Sequence, residues 1–340
     1  MALHLSPAPQ DTATAIRRSA LLRRPRVLFI GGSMNQTTQM HQVAQALGEC
    51  DPWFTSHYAS GVPQATARLG LLDFTVLGGQ AKRRSEAYFA ANGLQVDLQG
   101  RRNDYDLVVT SSDLVIPANI RDKRIVVVQE GMMDPERWIY HLVRTLGLPR
   151  WLANTSMTGQ SRAYRAFCVA SEGYRQEFIR KGIDPTRLVV TGSPNFDNAA
   201  AFLDNDFPHR GYVLGATSCL RETLKYENRR EYLQRTLRIA DGRPVLFKLH
   251  PNERLDRARR EIERWAPEAM ILEDGNTNHM LANCDVLVTR YSSVVFVALA
   301  LGKEVHADLP LENLRRLLPW QNGGTAAARI ADVCRRVLDE

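Results

Sequence analysis

The sequence predicts an α/β protein built as two similar halves that face each other. Three observations carry this. Short apolar runs alternate with amphipathic stretches through the 340 residues, the pattern of strands and helices laid down in turn. The apolar runs are β-branched and bounded by turn residues, as in parallel strands buried on both faces. A turn-forming stretch, GSPNFDN at 192–198, interrupts the alternation before it restarts.

The elements follow in order. Val27–Ile30 reads as a strand ending in Gly31-Gly32-Ser33, with a polar helix over Thr37–Leu47 behind it. A short strand over Trp53–His57, a helix near Pro63–Leu69 and a strand over Phe74–Leu77 come next. Asp106–Thr110, Arg124–Gln129, Phe167–Ala170 and Leu188–Thr191 read as buried parallel strands, with a helix over Glu172–Lys181 closed by Gly182. Beyond GSPNFDN the pattern resumes with a strand over Tyr212–Ala216 and a long charged helix over Leu220–Ile239. Val245–Leu249 (strand), Glu253–Trp265 (helix), Met270–Leu272 and Asp285–Thr289 (strands) follow. An apolar helix after Ser292, closed by Gly302, and helices over Leu311–Leu318 and Ala326–Leu338 finish the chain. The expected organisation is a basic tail over 1–24, domains over 25–198 and 199–325, and a final helix over 326–340 free to cross back to the first domain.

Composition narrows the partners. Hydrophobic residues make up 44% and charged residues 24%, a globular profile. No apolar run approaches the ~20 residues of a membrane span. The N-terminal stretch lacks the apolar core of a secretory signal, and its Arg, Ser, Thr and Ala read as a frayed tail rather than a transit peptide. The five cysteines are scattered without a CxxC pair, so reduced thiols in the cytoplasm are expected. The eight histidines show no metal-binding spacing, and neither a metal nor a cofactor is expected. A net charge of +7 and a pI near 9.3 favour anionic partners. Nucleic acid is disfavoured, because zinc-finger, RNP and KH patterns are absent.

Three strand-to-helix junctions in the second half are rich in donors. In CDVLVTRYSSVVFVALALGKEVH (284–306), a buried strand runs through Tyr291-Ser292-Ser293 into an apolar helix. A serine there caps the helix, and its hydroxyl and the first-turn amides can also reach an anion. In KLHPN (248–252), Lys248 and His250 alternate on a strand and share one side. In TSCLRE (217–222), Ser218 and Arg221 stand at the third junction, where Arg221 can clamp a phosphate with two parallel bonds. Each junction alone fits a helix cap or a surface cation. Together they point to a nucleotide diphosphate pocket in the second domain.

These motifs resemble known transferases. The Tyr-Ser-Ser strand–helix and the Lys-Leu-His-Pro segment are similar to those of CDP-glycerol glycerophosphotransferases and related GT-B transferases. KGIDPTRLVVTGSPNFDN and RIVVVQEGMMDP are also similar to segments of nonhydrolysing UDP-N-acetylglucosamine 2-epimerases. The resemblance covers about residues 105–310 and implies a GT-B fold: two Rossmann-like domains with an interdomain cleft, the second holding a nucleotide-sugar donor and the first an acceptor. Several positions depart from the pattern. Arg290 stands where the transferases carry Asp, Val297 where an acid is usual, and Gln129-Glu130-Gly131 where a catalytic His-Gly is found. TSCLRETLKYEN replaces the epimerases' His-Arg-Arg-Glu-Asn, and Tyr-Ser-Ser their Ser-Gly-Gly. Sugar transfer is therefore expected ahead of glycerophosphate transfer, epimerisation or mere binding of a nucleotide sugar.

Transfer from a diphosphate needs the leaving charge neutralised and the acceptor hydroxyl deprotonated. Ser218, Arg221, Lys248, His250, Tyr291, Ser292 and Ser293 are the expected donor-binding set, acting by preorganised electrostatics. Glu130, after a buried strand and before a glycine, is the expected general base. Asp113, ending another strand, is the alternate base or an acceptor ligand, and His250 a third catalytic candidate. Gly32, Ser33, Asn35, Gln36 and His41, at and after the first turn, are expected to bind a glycan or lipid-linked acceptor. A solvent-facing helix would carry the same residues. Over 136–159, Trp138, Tyr140, Leu142, Leu146 and Trp151 interleave with Arg137, Arg144 and Arg150. That mixture fits a helix lying on the anionic inner face of the cytoplasmic membrane, or a core helix with snorkelling arginines.

Overall fold

The computed structural model describes residues 23–61, 64–65, 77–223 and 225–340. The expected helix Pro63–Leu69 and strand Phe74–Leu77 fall almost wholly outside these residues, as does the tail through residue 22.

Two parallel sheets form the chain. The first has six strands in the order β2-β1-β3-β4-β5-β6: β1 (Arg26–Ile30), β2 (Asp51–Thr55), β3 (Leu107–Thr110), β4 (Arg124–Val128), β5 (Ala166–Val169) and β6 (Leu188–Val190). The second has five in the order β11-β10-β7-β8-β9: β7 (Val213–Ala216), β8 (Val245–Lys248), β9 (Met270–Leu272), β10 (Val286–Thr289) and β11 (Glu304–His306). Residues of β1, β3 and β4 such as Leu28, Val108 and Val127 are wholly buried, as continuous β-branched runs predict for strands covered on both faces. In each sheet the strand order reverses beside the first strand: between β1 and β3, and between β7 and β10. Such reversals open a crevice at the carboxyl ends of the strands. Gly31–Ser33 and Ser111–Asp113 follow the first pair; Thr217-Ser218 and Arg290–Ser293 follow the second.

The two layers share one core. Tyr174 and Phe196 pack edge-on against Phe296 of the second layer at ring distances of 6.2 and 6.0 Å. The chain crosses between layers twice, and the crossings are bonded together. Asn322 and Gly323 donate their N–H groups to the Asp197 carbonyl at 2.9 and 3.1 Å, and Gln321 Nε2 reaches Phe196 O at 2.6 Å. The helix Ala326–Asp339 then lies on the first sheet. Ile330, Val333, Cys334 and Val337 join the core of Phe29 and Val126, and Arg124 donates to Leu338 O at 2.8 Å. The interlayer joint is tightest at Gly173, in the first turn of the helix Glu172–Arg180. A Cβ there would stand 1.8 Å from the carbonyl oxygen of Arg316. Gly173→Ala is expected to cost about 1–3 kcal/mol, since backbone cannot give way as a side chain does. Urea unfolding checks it; an unchanged midpoint would show that the joint is loose.

Several elements depart from expectation. The long charged helix does not start at Leu220. A single turn, Arg221–Thr223, precedes a helix over Arg229–Ala240, and Asn228 caps it by accepting from Glu231 N at 3.2 Å. Asn is a strong cap, and its placement frees Glu227 for a buried charge cluster. Helices over Gly79–Ala91 and Thr277–Asn283, and β11, were not expected. The first buries only Ser85 and Phe89, too few apolar positions to set a visible period.

Candidate functional site

A cavity of about 310 Å³ lies between the strand ends of the two domains. Its N-terminal wall is built on the turns after β1, β3 and β4. Ser33 caps the helix Met34–Leu47 and forms a reciprocal box with Gln36: Ser33 Oγ accepts from Gln36 N at 3.2 Å, and Gln36 Oε1 from Ser33 N at 3.1 Å. The same two residues hold Glu130. Ser33 Oγ and Gln36 Nε2 donate to its two carboxylate oxygens, each at 2.6 Å. Burial pushes the Glu130 carboxyl above its ordinary pKa, and the two hydrogen bonds oppose that only in part. The turn is fixed from behind, where Gln129 Nε2 donates to Gly131 O at 3.0 Å and its Oε1 accepts from Ala170 N at 3.0 Å.

The C-terminal wall carries His250, Ser218, Tyr291, Ser292 and Ser293. A Cβ on Gly131 would lie 3.5 Å from Ser293 Cβ, so the walls nearly touch there. Tyr291 donates its hydroxyl to Met133 O across the cleft. His250 Nδ1 accepts from Asn252 N at 3.1 Å, which puts the proton of the neutral ring on Nε2. Burial lowers the His250 pKa, so the ring is neutral at pH 7. Lys225 also lines the cavity and donates to Asp134 Oδ1 at 2.9 Å, while Thr155 Oγ1 accepts from Asp134 N at 2.8 Å. Among the described residues, two hydroxyls in the walls, Ser218 Oγ and Ser111 Oγ, are buried without a hydrogen-bond partner. Buried polar atoms seldom stay unpaired, so these are open positions for a ligand.

Of the residues singled out in the sequence, the fold thus gathers Glu130, His250, Ser218, Tyr291, Ser292, Ser293, Asn35 and Gln36 on one cavity, with Ser33 directly behind Glu130. Others stand elsewhere. Arg221 is bound to Glu261 by two parallel bonds of 2.7 Å, with Glu227 also close, so its guanidinium is already spent on carboxylates. Lys248 Nζ donates to the carbonyls of Leu249 and Glu273 at 2.8 and 2.6 Å, behind the strand end. Asp113 is wholly buried and accepts from Gly159 N and Ser161 N at 2.8 Å each, pinning a loop. His41 Nδ1 lies 2.9 Å from Tyr88 Oη, and Gly32 O accepts from Ser85 Oγ at 2.8 Å. Neither lines the cavity. The helix Val294–Ala300 spans only seven residues. Ser293 makes no cap bond, and Ser292 Oγ accepts weakly from Val294 N at 3.5 Å. Both hydroxyls therefore keep capacity for other partners. Lys225 was missed because the expected helix hid it; Thr155 carried no signal at all.

Behind the C-terminal wall lies a buried charge cluster. Arg229 pairs with Glu227 at 3.1 Å and with Glu253. Glu253 also accepts from Thr217 Oγ1 and, at 3.3 Å, from His250 N. Through Glu253 and Thr217 the cluster is bonded to the His250 turn.

The sequence matches no family model and no curated protein sequence. The architecture does have solved counterparts. A point variant of the wall teichoic acid polymerase TagF superposes with a TM-score of 0.54 at 12% identity, over 97% of this chain and 97% of that one. The UDP-GlcNAc 2-epimerase of Neisseria meningitidis, bound to UDP-GlcNAc, gives 0.57 at 12% identity, over 92% and 100%. The UDP-GlcNAc 2-epimerase of Methanocaldococcus jannaschii, in complex with UDP-GlcNAc and UDP, gives 0.56 at 13% identity, over 92% and 99%. At such identity the likeness is one of architecture: this chain has the GT-B fold, two Rossmann-like domains whose strand ends meet across a cleft.

Proposed function

We propose that the protein is a GT-B glycosyltransferase that moves a sugar from a nucleotide diphosphate donor to a hydroxyl of a glycan or lipid-linked acceptor. One observation supports it most. A carboxylate held above its usual pKa, Glu130, faces a wall of donors (Ser218, His250, Ser292, Ser293) across one cavity. Glu130 takes the acceptor proton as the acceptor oxygen bonds to the sugar carbon. The bond from that carbon to the diphosphate breaks, and the nucleotide leaves with its electron pair. The Nε2–H of neutral His250 and the serine hydroxyls meet the growing charge, and Lys225 reaches it with the donors its bond to Asp134 leaves over.

The same opposed pair, a carboxylate and a neutral imidazole, also fits 2-epimerisation of a nucleotide sugar, which needs a proton removed and returned but no acceptor. Incubation with UDP-, CDP-, GDP- and ADP-sugars separates the readings. Nucleotide release that requires an acceptor is the expected result. An altered sugar formed without an acceptor would replace transfer by epimerisation, and binding without turnover would remove both.

We further propose that the enzyme works at the inner face of the cytoplasmic membrane. Among the described residues no helix is long and apolar enough to cross a bilayer. The segment 136–159 is not one continuous helix: a helix over Trp138–Leu146 precedes a broken 3₁₀ stretch over Arg150–Met157. Tyr140 and Val143 pack inward on Ala153 and Met157. Trp138 and Leu146 stay 74% and 62% exposed beside Arg137 and Arg144. Apolar side chains with a basic margin suit an anionic lipid surface. Replacing both Trp138 and Leu146 by serine should reduce co-sedimentation with phosphatidylglycerol vesicles several-fold. Equal binding would remove the membrane assignment and leave the chemistry untouched.

A further inference from the structure

A second cavity of about 500 Å³ lies in the N-terminal domain. Its walls are the loops leading into β5 and β6 and the side chain of Arg144. It therefore opens at the opposite strand ends from the cleft.

Four cationic side chains line it: Arg144, Arg162, Lys181 and Arg187. Their counter-charges are few. Among the described residues, Arg144, Arg162 and Arg187 form no ion pair. Lys181 stands 3.9 Å from Glu136, but that carboxylate is held by Arg180 at 2.6 Å. Asp184 also lines the cavity, and its carboxylate accepts from Thr186 N and Thr186 Oγ1 at 2.9 and 2.7 Å. Three of the cations are also fixed in place. Arg187 donates to the carbonyls of Arg162 and Tyr164 at 3.2 and 3.1 Å, and Arg144 to Tyr140 Oη at 3.2 Å. Lys181 is 3% exposed, and its Nζ donates to Ser156 O at 3.1 Å. Burial lowers its pKa, so the folded chain holds this charge at a cost. Like charges gathered round one hollow with so little neutralisation repel each other unless an anion joins them.

We propose that this cavity is a second anion site, for a phosphate ester or diphosphate group gripped by Arg144, Arg162, Lys181 and Arg187. Arginine forks suit phosphate oxygens, and the volume suits a small ligand. The phosphate belongs either to a soluble molecule or to a phospholipid headgroup. The second source fits the helix that carries Arg144, because that helix also exposes Trp138 and Leu146. The site is independent of the sugar-transfer reading, which rests on the opposite strand ends.

Calorimetric titration of the full chain with inorganic pyrophosphate at low salt tests the proposal. The exposed pair is changed together, Arg144→Gln with Arg162→Gln. A charge-matched control changes Arg101→Gln with Arg102→Gln, and Lys225→Met reports on the cleft. The first double variant should lose one class of binding site, or weaken it about tenfold or more, while the control and Lys225→Met retain that class. If the Arg144/Arg162 variant titrates like the wild type, or the control loses as much, the site does not exist. Vesicles of phosphatidylglycerol, compared with phosphatidylcholine, then identify the source. Loss of vesicle binding in Arg162→Gln alone, which keeps the Arg137 and Arg144 margin of the exposed helix, assigns a headgroup; loss confined to pyrophosphate assigns a soluble phosphate.

Discussion

Replacing Glu130 with glutamine is expected to lower turnover by about 10²–10⁴-fold while sparing donor binding. The amide keeps the shape and both local bonds: its oxygen accepts from Gln36, and its NH₂ donates to Ser33 Oγ. What it loses is the ability to take a proton. Steady-state rates and a thermal-shift titration with nucleotide, run side by side, check the two halves of the statement. Turnover within threefold of wild type would remove Glu130 as the base.

The pH behaviour follows from the same carboxyl. A base works deprotonated, so the wild-type rate should rise with pH through the raised Glu130 pKa and then level. In Glu130→Gln that acidic limb should vanish from the residual rate. Stability runs the other way. A carboxyl whose folded pKa is raised contributes stability that is complete below its ordinary pKa and is lost as pH rises through the folded one. Glu130→Gln should therefore match the wild type in acid and be equally or more stable at neutral pH. Urea midpoints across the pH range read this directly. A site that is costly when correctly ionised is what a catalytic carboxylate implies.

Arg229→Met is expected to have the largest effect on stability, a loss of about 3–5 kcal/mol. The Glu253 and Glu227 side chains are 0% and 1% exposed. Removing Arg229 leaves two buried carboxylates with, among the described residues, Arg221 as the remaining cation within 4.0 Å of both. Charges stranded in this way are far costlier than an absent pair. The double change Arg229→Met with Glu253→Met should accordingly be milder than Arg229→Met alone. Thermal and chemical unfolding of the three proteins decide it, and a single variant within 1 kcal/mol of wild type would show that the cluster is not coupled. Because Glu253 also holds Thr217 and the His250 amide, Arg229→Met should weaken nucleotide binding even where the chain stays folded.

Much of the architecture was legible in the chain itself. Buried parallel strands announce themselves, because both faces must be apolar and the run must be short. Val108, Val127, Leu214 and Leu287 all lie in the core. The position of Glu130 was legible for the same reason: a residue directly after such a strand emerges at the carboxyl edge of the sheet. The Tyr291–Ser293 corner and His250 were found likewise.

The cationic partners were not legible. Arg221 and Lys248 have the right chemistry at the right junctions, yet their side chains turn to Glu261 and to two backbone carbonyls. Nothing local reveals that, since Glu261 is forty positions away and Glu273 belongs to another loop. Asp113 is the same case, with its carboxylate claimed by amides at 159 and 161. Lys225 shows the converse. It looked like one more charge on a long helix, but the cap at Asn228 starts that helix late and lets Lys225 reach Asp134 in the other domain.

The layers, the strand ends and the carboxylate that stands at one of them could be read from the chain alone, because these follow from periodicity and from the two faces of a buried strand. Which charges remain free is settled in the assembled fold. A side chain's partner is chosen by through-space electrostatics and packing between segments far apart in the chain, and that choice leaves no mark on the local pattern.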